Sequence, residues 1–481
     1  MKKTILKFSS VLTLLGASFF SSQTFAAECA TGTSPADGCT INVSNITYTL
    51  TGDINSGASP GIELQTATNT EINLTGNITA ADYGVYFKLT DVSSNTTNII
   101  GNISTTGNGS YGYFVWKSSD NTINHTGNIS TTGTSIGIYI AGDNVGHRNT
   151  VNWTGNYTST NSTASAYFLW DTTDNNITMT GDVTTTGAVS GLIRTNNSDN
   201  NTMSFTGNIR TEGAGSPAIF LGTDSDNNTI NVTGNISTTG TASHGLYLST
   251  SDSNTFNITG DITTTGTDGD SEPIRLENSD SNTFTLSGNV KSLGGDQAIS
   301  IDADSDANTF IIQSGSTFLG DFENIGTNTV ITNQGTMDEI NNTGSIATFN
   351  NAQTGAAYSG TLPVNYNIII NSPTSYGQMF VTSEAGSTNF GVSSAPDNLT
   401  IGKYTNVMTG VSDGNVGATR SGILFEGNGT SAVGTANWVL TETASESGAW
   451  DLNITGDYVY FGSVATLQNS VNNTASAMRG A

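Results

Sequence analysis

Asn228–Gly234 reads N-T-I-N-V-T-G, Asn254–Gly260 reads N-T-F-N-I-T-G and Asn282–Gly288 reads N-T-F-T-L-S-G. Apolar residues fall at every second place: Ile230 and Val232 share one face with Ile236, while Asn231 and Thr233 take the other. That alternation predicts strands with one buried side. The closing glycine recurs at Gly52, Gly76, Gly101, Gly127, Gly155, Gly181, Gly207, Gly234, Gly260 and Gly288, spaced by 24 to 28 residues. Each unit holds three short strand runs, such as N-T-I-N-V-T, N-I-S-T-T and G-L-Y-L-S, split by Gly and Asx turns. Repeats of this kind cannot bury a core singly and must stack. The expected fold is all-β: a right-handed parallel β-helix of about ten coils of about 26 residues, with shorter coils after it, a C-terminal β cap and a short terminal helix.

Composition agrees. The 481 residues include 56 Gly and 55 Asn, with only 11% charged. Ordinary soluble domains carry about 25% charged residues. Helical solenoids and coiled coils need far more Ala, Glu, Lys and Leu. Disorder is disfavoured by 19 Phe and 15 Tyr. With 13 Lys+Arg against 39 Asp+Glu and a net charge of −26, no basic cluster exists to neutralise phosphates, and nucleic acid is not an expected partner.

Residues 1–26 carry Lys2, Lys3 and Lys7 ahead of an apolar stretch from Val11 to Phe20, closing on Ala26 and Ala27. They read as a secretory signal peptide, and no later stretch is apolar enough for a transmembrane helix. Cys29 and Cys39 then suit a disulfide hairpin in an oxidising compartment, stapling an N-terminal cap over 27–45; a two-thiol metal site lacks a nearby His. Regular coils are expected over 46–315 and shorter ones over 316–360. A capping region follows over 361–456, and a helix over 457–481, from Val464, Leu467, Val471, Ala475 and Met478.

Two ladders mark the coils. Asp120, Asp174, Asp199, Asp226, Asp252, Asp280 and Asp306 precede the N-T strand, and Asn121, Asn176, Asn201, Asn228, Asn254, Asn282 and Asn308 open it. Asx-turn chemistry accounts for both. A line of calcium sites is the alternative, without the G-G-x-G-x-D repeat that would support it, so no metal is assigned.

The third run supplies the candidate site. When the coils are aligned on Gly84, Gly112, Gly137, Ala166, Gly191, Ala218 and Gly245, the +1 and +3 columns are almost entirely apolar and should face the core. The +2 column should then face out: Tyr86, Phe114, Tyr139, Phe168, Ile193, Phe220 and Tyr247. Trp116 and Trp170 lie on the same outer face. Such a row is either a stabilising stack or a platform for sugar rings or an apolar partner. Arg194 breaks the pattern, pointing inward unless the register slips there. His125 falls in a core column.

In its order of parts the chain resembles a passenger domain of the Gram-negative autotransporters (type V secretion). It has an export signal, a Ser/Thr/Asn/Gly-rich β-helix, then W-V-L-T-E…G-A-W-D-L-N-I-T-G (Trp438–Gly456) and D-Y-V-Y-F-G…M-R-G (Asp457–Gly480). The resemblance implies an autochaperone-like cap and a linker to an outer-membrane translocator barrel, which this sequence lacks. It further implies an exported protein, at the cell surface or outer membrane, secreted, or periplasmic if truncated, acting as an adhesin or display rod. The expected partner is a glycan or cell-surface protein. The aromatic platform of Tyr86, Phe114, Trp116, Tyr139, Phe168, Trp170, Phe220 and Tyr247 would bind it. The alternatives are a polysaccharide-degrading β-helix enzyme and a truncated remnant. No catalytic residues and no cofactor are assigned: the ten basic residues after the signal are scattered, and His125, His147 and His244 lie in different coils.

Overall fold

The computed structural model describes residues 39–57, 60–88, 92–142, 147–267, 269–295, 297–393, 401–423 and 436–456, with the short strands 11–13, 15–16, 24–26, 432–433 and 459–460. Most of the 1–26 signal segment, Cys29 of the expected disulfide and the helix from Val464 onward lie outside the described residues. Val459–Tyr460, at the start of the expected helical segment, is strand paired with Ala432–Val433. Among the described residues the structure is nearly all β, with a single 3-10 turn at Asp413–Asn415. The chain divides into two compact units, Met1–Ser305 and Asp306–Ala481.

The first unit is a parallel β-solenoid. Its first sheet stacks ten strands, from Ile46–Thr51 and Glu71–Thr75 through to Thr255–Thr259 and Thr283–Ser287. In register, Ile72, Thr97, Ile123, Val151, Ile177, Met203, Ile230, Phe256 and Phe284 form one buried column. A second column carries Val232, buried as expected, and His125. The latter is enclosed in the core, with Nδ1 3.1 Å from the Tyr113 hydroxyl. Burial pushes the His125 pKa down to about 4, so it packs as a neutral aromatic. The second sheet contributes Ile54, Ile78, Ile103, Ile129, Tyr157, Val183, Ile209, Ile236, Ile262 and Val290, all buried. The third sheet carries the candidate site.

Polar ladders run between the coils. The buried one comprises Asn95, Asn121, Asn149, Asn175, Asn201, Asn228, Asn254 and Asn282. Each of the first seven donates both its backbone N–H and its side-chain Nδ2 to Oδ1 of the next. For Asn228 to Asn254 these bonds are 2.8 and 3.1 Å, and for Asn121 to Asn149 they are 3.0 and 3.1 Å. Several also reach a carbonyl, as Asn149 Nδ2 does to Ser118 O at 2.9 Å. Burial makes this satisfaction obligatory, since an unpaired amide inside costs about 1–3 kcal/mol. The ladder residue in one coil is Asn175 rather than Asn176, which is exposed at the strand start. The left-handed Asp174 just before (φ 60°) puts the turn one residue earlier than the N-T pattern suggests.

The repeating glycine is required by stacking itself. A Cβ on Gly181 would stand 2.0 Å from Gly155 O in the coil beneath, and one on Gly155 would stand 1.9 Å from Gly127 O. Gly52, in the first coil, has nothing within 4 Å of the same point.

In the second unit, strands open at Thr309, Thr329, Ile346, Asn365 and Asn389, a shorter period, and stack Phe310, Ile331, Phe349, Tyr366 and Phe390 in one buried column. Parallel pairing gives way to antiparallel pairing, in which Ser421–Ile423 pairs with Asn437–Glu442, that strand with Ala449–Thr455, and Ala449–Thr455 with Gly402–Thr409. There Trp450 Nε1 donates to Val411 O at 2.8 Å.

Gly181→Ala should therefore abolish cooperative unfolding or lower stability by more than about 3 kcal/mol. Gly52→Ala, strained only by its positive φ, should cost about 1–2 kcal/mol. Urea melts of the two variants check this ordering, and equal losses would contradict it.

Candidate functional site

Gly112 explains how the third sheet presents so many rings. A Cβ there would meet Gly137 O at 2.5 Å and Ile129 Cγ2 at 2.7 Å, so this position points into the core beside Tyr113. The chain bends at that point. Tyr111 before it and Phe114 after it consequently pack on the same outer side, with ring centroids 5.2 Å apart.

The outer row stacks coil upon coil. Tyr86 lies on Phe114 (5.1 Å, 9° between planes), Phe114 on Tyr139 (5.1 Å, 17°) and Tyr139 on Phe168 (5.0 Å, 8°). Tyr83 and Tyr111, which the strand alternation did not reveal, add a second file: their rings stack at 5.5 Å and touch Phe114 and Tyr139. Mutual packing leaves Phe114 and Tyr139 only 8% and 6% exposed, whereas Trp170 is 43% exposed. Tyr86, Trp116, Phe168, Phe220 and Tyr247 are half-buried. Burial raises the Tyr86 and Tyr83 pKa values to about 12, so these phenols stay neutral hydrogen-bonding groups. Trp116 and Trp170 share one register column with Ala141 between them, and Lys117 Nζ lies 5.3 Å from the Trp116 ring.

The register slips by one residue in the next coil, which corrects one expectation. Tyr167 pairs with Ile193 and Phe168 with Arg194, so Ile193 is in the core, fully buried, and Arg194 takes the outer column. The outer row therefore reads Tyr86, Phe114, Tyr139, Phe168, Arg194, Phe220, Tyr247 and Arg275. Six coil steps separate Tyr86 from Tyr247, roughly 29 Å at strand spacing. The Arg194 guanidinium lies over Phe220 at 5.4 Å, and Phe220 and Tyr247 are 5.2 Å apart.

Two cavities open along this row. One of about 380 Å³ is lined by Tyr111, Ile136, Phe168 and Arg194 among others. The other, about 280 Å³, is lined by Arg194, Pro217, Phe220, Tyr247, Arg275 and Glu277 among others. Beneath the second lies a charge cluster drawn from two adjacent coils. His244 Nδ1 is 3.0 Å from the buried Glu272 Oε2, although neither atom has an aligned hydrogen bond. Arg275 bonds Asp270, stands 3.5 Å from Glu272, and reaches Glu277 at 2.8 Å through Nε. The Tyr247 hydroxyl donates to Glu277. Burial works to raise the Glu272 pKa, but its contacts with His244 and Arg275 outweigh this and hold it below the usual value. Burial raises Tyr247 to about 12, helped by Glu277. His244, Asp270 and Glu272 offer ligand atoms within 4.8 Å of one another. The Arg275 guanidinium already bridges the two carboxylates, so a divalent ion fits poorly.

The aspartate column is a hydrogen-bonding device. Backbone N–H groups of Asp226, Asp252 and Asp280 donate to the carboxylates of Asp199, Asp226 and Asp252 at 2.8, 2.7 and 2.7 Å. Desolvation and neighbouring aspartates raise the Asp226 and Asp252 pKa values despite these bonds. A raised carboxyl costs stability above its folded pKa, and the cost vanishes as pH falls through it. Asp226→Asn with Asp252→Asn keeps the acceptors and removes the repulsion. It should stabilise the fold at pH 7 by up to about 1 kcal/mol after solvent screening, with no gain below pH ~3.8; thermal melts across that range check it. Neither a protein-family model nor a curated protein matches this sequence.

Proposed function

We infer that the chain is an exported surface or secreted protein, of the autotransporter passenger kind, whose solenoid binds a saccharide chain or cell-surface partner along its aromatic face. The observation that carries this reading is the outer row itself. Aromatic rings recur at every coil step from Tyr86 to Phe168, stacked nearly coplanar, half-buried at the two ends and flanked by the exposed Trp170. Stacking alone accounts for Phe114 and Tyr139, which the row encloses. It does not account for Trp170, whose indole remains in solvent at a cost that a smaller residue would avoid. An array with one period per coil suits a ligand that is itself periodic and extended, as a polysaccharide is. At the Arg275 end of this face Asp270, Glu272 and Glu277 are clamped by Arg275, and at the Tyr86 end Glu63, in register with Tyr86, is paired with Lys88, which favours a binding role over proton exchange by these carboxylates.

Trp116→Ala combined with Trp170→Ala should leave the far-UV spectrum unchanged and weaken binding to host-cell or glycan surfaces at least tenfold. Phe114→Ala should instead cost about 1–3 kcal/mol of stability, as an enclosed stack member. Binding assays on intact cells and immobilised glycans, paired with denaturant melts, separate the two effects. Unaltered binding by the double variant would count against the reading.

A further inference from the structure

The chain carries 13 basic residues against 39 acidic ones, so an arginine without a carboxylate is unexpected. Among the described arginines, Arg148 pairs with Asp120, Arg210 with Glu212, Arg275 with Asp270 and Glu277, and Arg420 with Asp413. Arg194 has no such ion pair. Its one hydrogen bond runs from Nη1 to Val189 O at 3.3 Å, and burial lowers its pKa. A guanidinium partly removed from water without a counter-ion is held at a cost, and the register slip at Ile193 is what sets it in the outer row. It lines both cavities of that row.

The second cavity places complementary chemistry around it. Phe220 and Tyr247 supply apolar ring faces, with Arg194 stacked over the first. At the far end Asp270 and Glu277 present acceptor oxygens held in place by Arg275. Because those carboxylates are already neutralised in part, they repel an anion at Arg194 less than bare acids would. Arg194 to Arg275 spans three coil steps, roughly 14 Å, and the cavity volume of about 280 Å³ suits a short saccharide rather than a protein segment.

We propose that this cavity is an acidic-sugar subsite, in which Arg194 pairs with the carboxylate of a uronic-acid-type residue. The sugar ring lies against Phe220 and Tyr247, and the Asp270 carboxylate accepts one of its hydroxyls, while Glu277, already bonded by Arg275 and the Tyr247 hydroxyl, holds those two side chains in place. This deepens the saccharide reading by naming the class of sugar, and it rests on residues separate from Trp116 and Trp170.

The test is calorimetric titration of the full chain with trigalacturonate, with the neutral galactotriose and with a short glutamate peptide. Trigalacturonate is expected to bind at least tenfold more tightly than either comparator, and more weakly as salt rises. Arg194→Gln should remove that preference with an unchanged melting temperature, and Arg194→Lys should restore part of it. The Trp116→Ala, Trp170→Ala double variant should keep it, so that loss of surface binding in that protein and loss of acid preference in Arg194→Gln report on different sites. Equal affinity for the neutral sugar, preference for the peptide, no binding of trigalacturonate, or an unaffected Arg194→Gln would each overturn the proposal.

Discussion

In the first unit, each coil rests on the next through a buried amide. An asparagine at the turn before the first-sheet strand gives both its backbone N–H and its Nδ2 to the Oδ1 of its successor, for seven consecutive steps from Asn95 to Asn282. This contact fixes the angle at which the chain enters the strand and the height between coils. A coil displaced by one residue would strand two donors in the core and turn its apolar column outward. The alternating apolar pattern supplies the driving force for burial, but it would tolerate several registers; the amides choose one. From Gly76 onward the glycine column enforces the same spacing by exclusion, since a side chain there would collide with a carbonyl of the neighbouring coil.

That single register gives the outer face its character. Identical positions in successive coils fall one above another, so a sequence that repeats an aromatic residue once per turn builds a stack without further design. The rings that result are of two kinds. Phe114 and Tyr139 are enclosed by neighbours from both files and act as a satellite core on the outside of the sheet. The residues at the margins, Trp170 above all, keep part of their surface in water. In the proposed binding role, contact would fall to the margins and rigidity to the centre, and a rigid platform loses little entropy when a ligand settles on it.

Much of this was legible from residue order. The period, the three runs and the inward side of Ile230, Val232 and Ile236 follow from alternation, and so does the outward side of Tyr86, Tyr139, Phe168 and Tyr247. Alternation failed where the backbone departs from an extended path. The bend at Gly112 turns two residues inward in succession and so hides the outward set of Tyr111. A one-residue slip moves Ile193 into the core and Arg194 out of it. The turn at Asp174 makes Asn175, not Asn176, the ladder member. The cluster of His244, Asp270, Glu272 and Arg275 was invisible for another reason. Asp270, Glu272 and Arg275 are close along the chain, but the strand alternation does not show that they turn toward one another, and His244 joins them from the neighbouring coil only when the coils are stacked.

The most direct test of the account is hydrogen exchange at the asparagine side-chain amides, followed by ¹⁵N-resolved NMR on the folded protein. The account predicts a set of Nδ2 protons, those of Asn121, Asn149, Asn175, Asn201, Asn228 and Asn254, that exchange orders of magnitude more slowly than the exposed amide of Asn176. Uniformly fast exchange across these asparagines would show that no buried amide column joins the coils, and the account would fail with it.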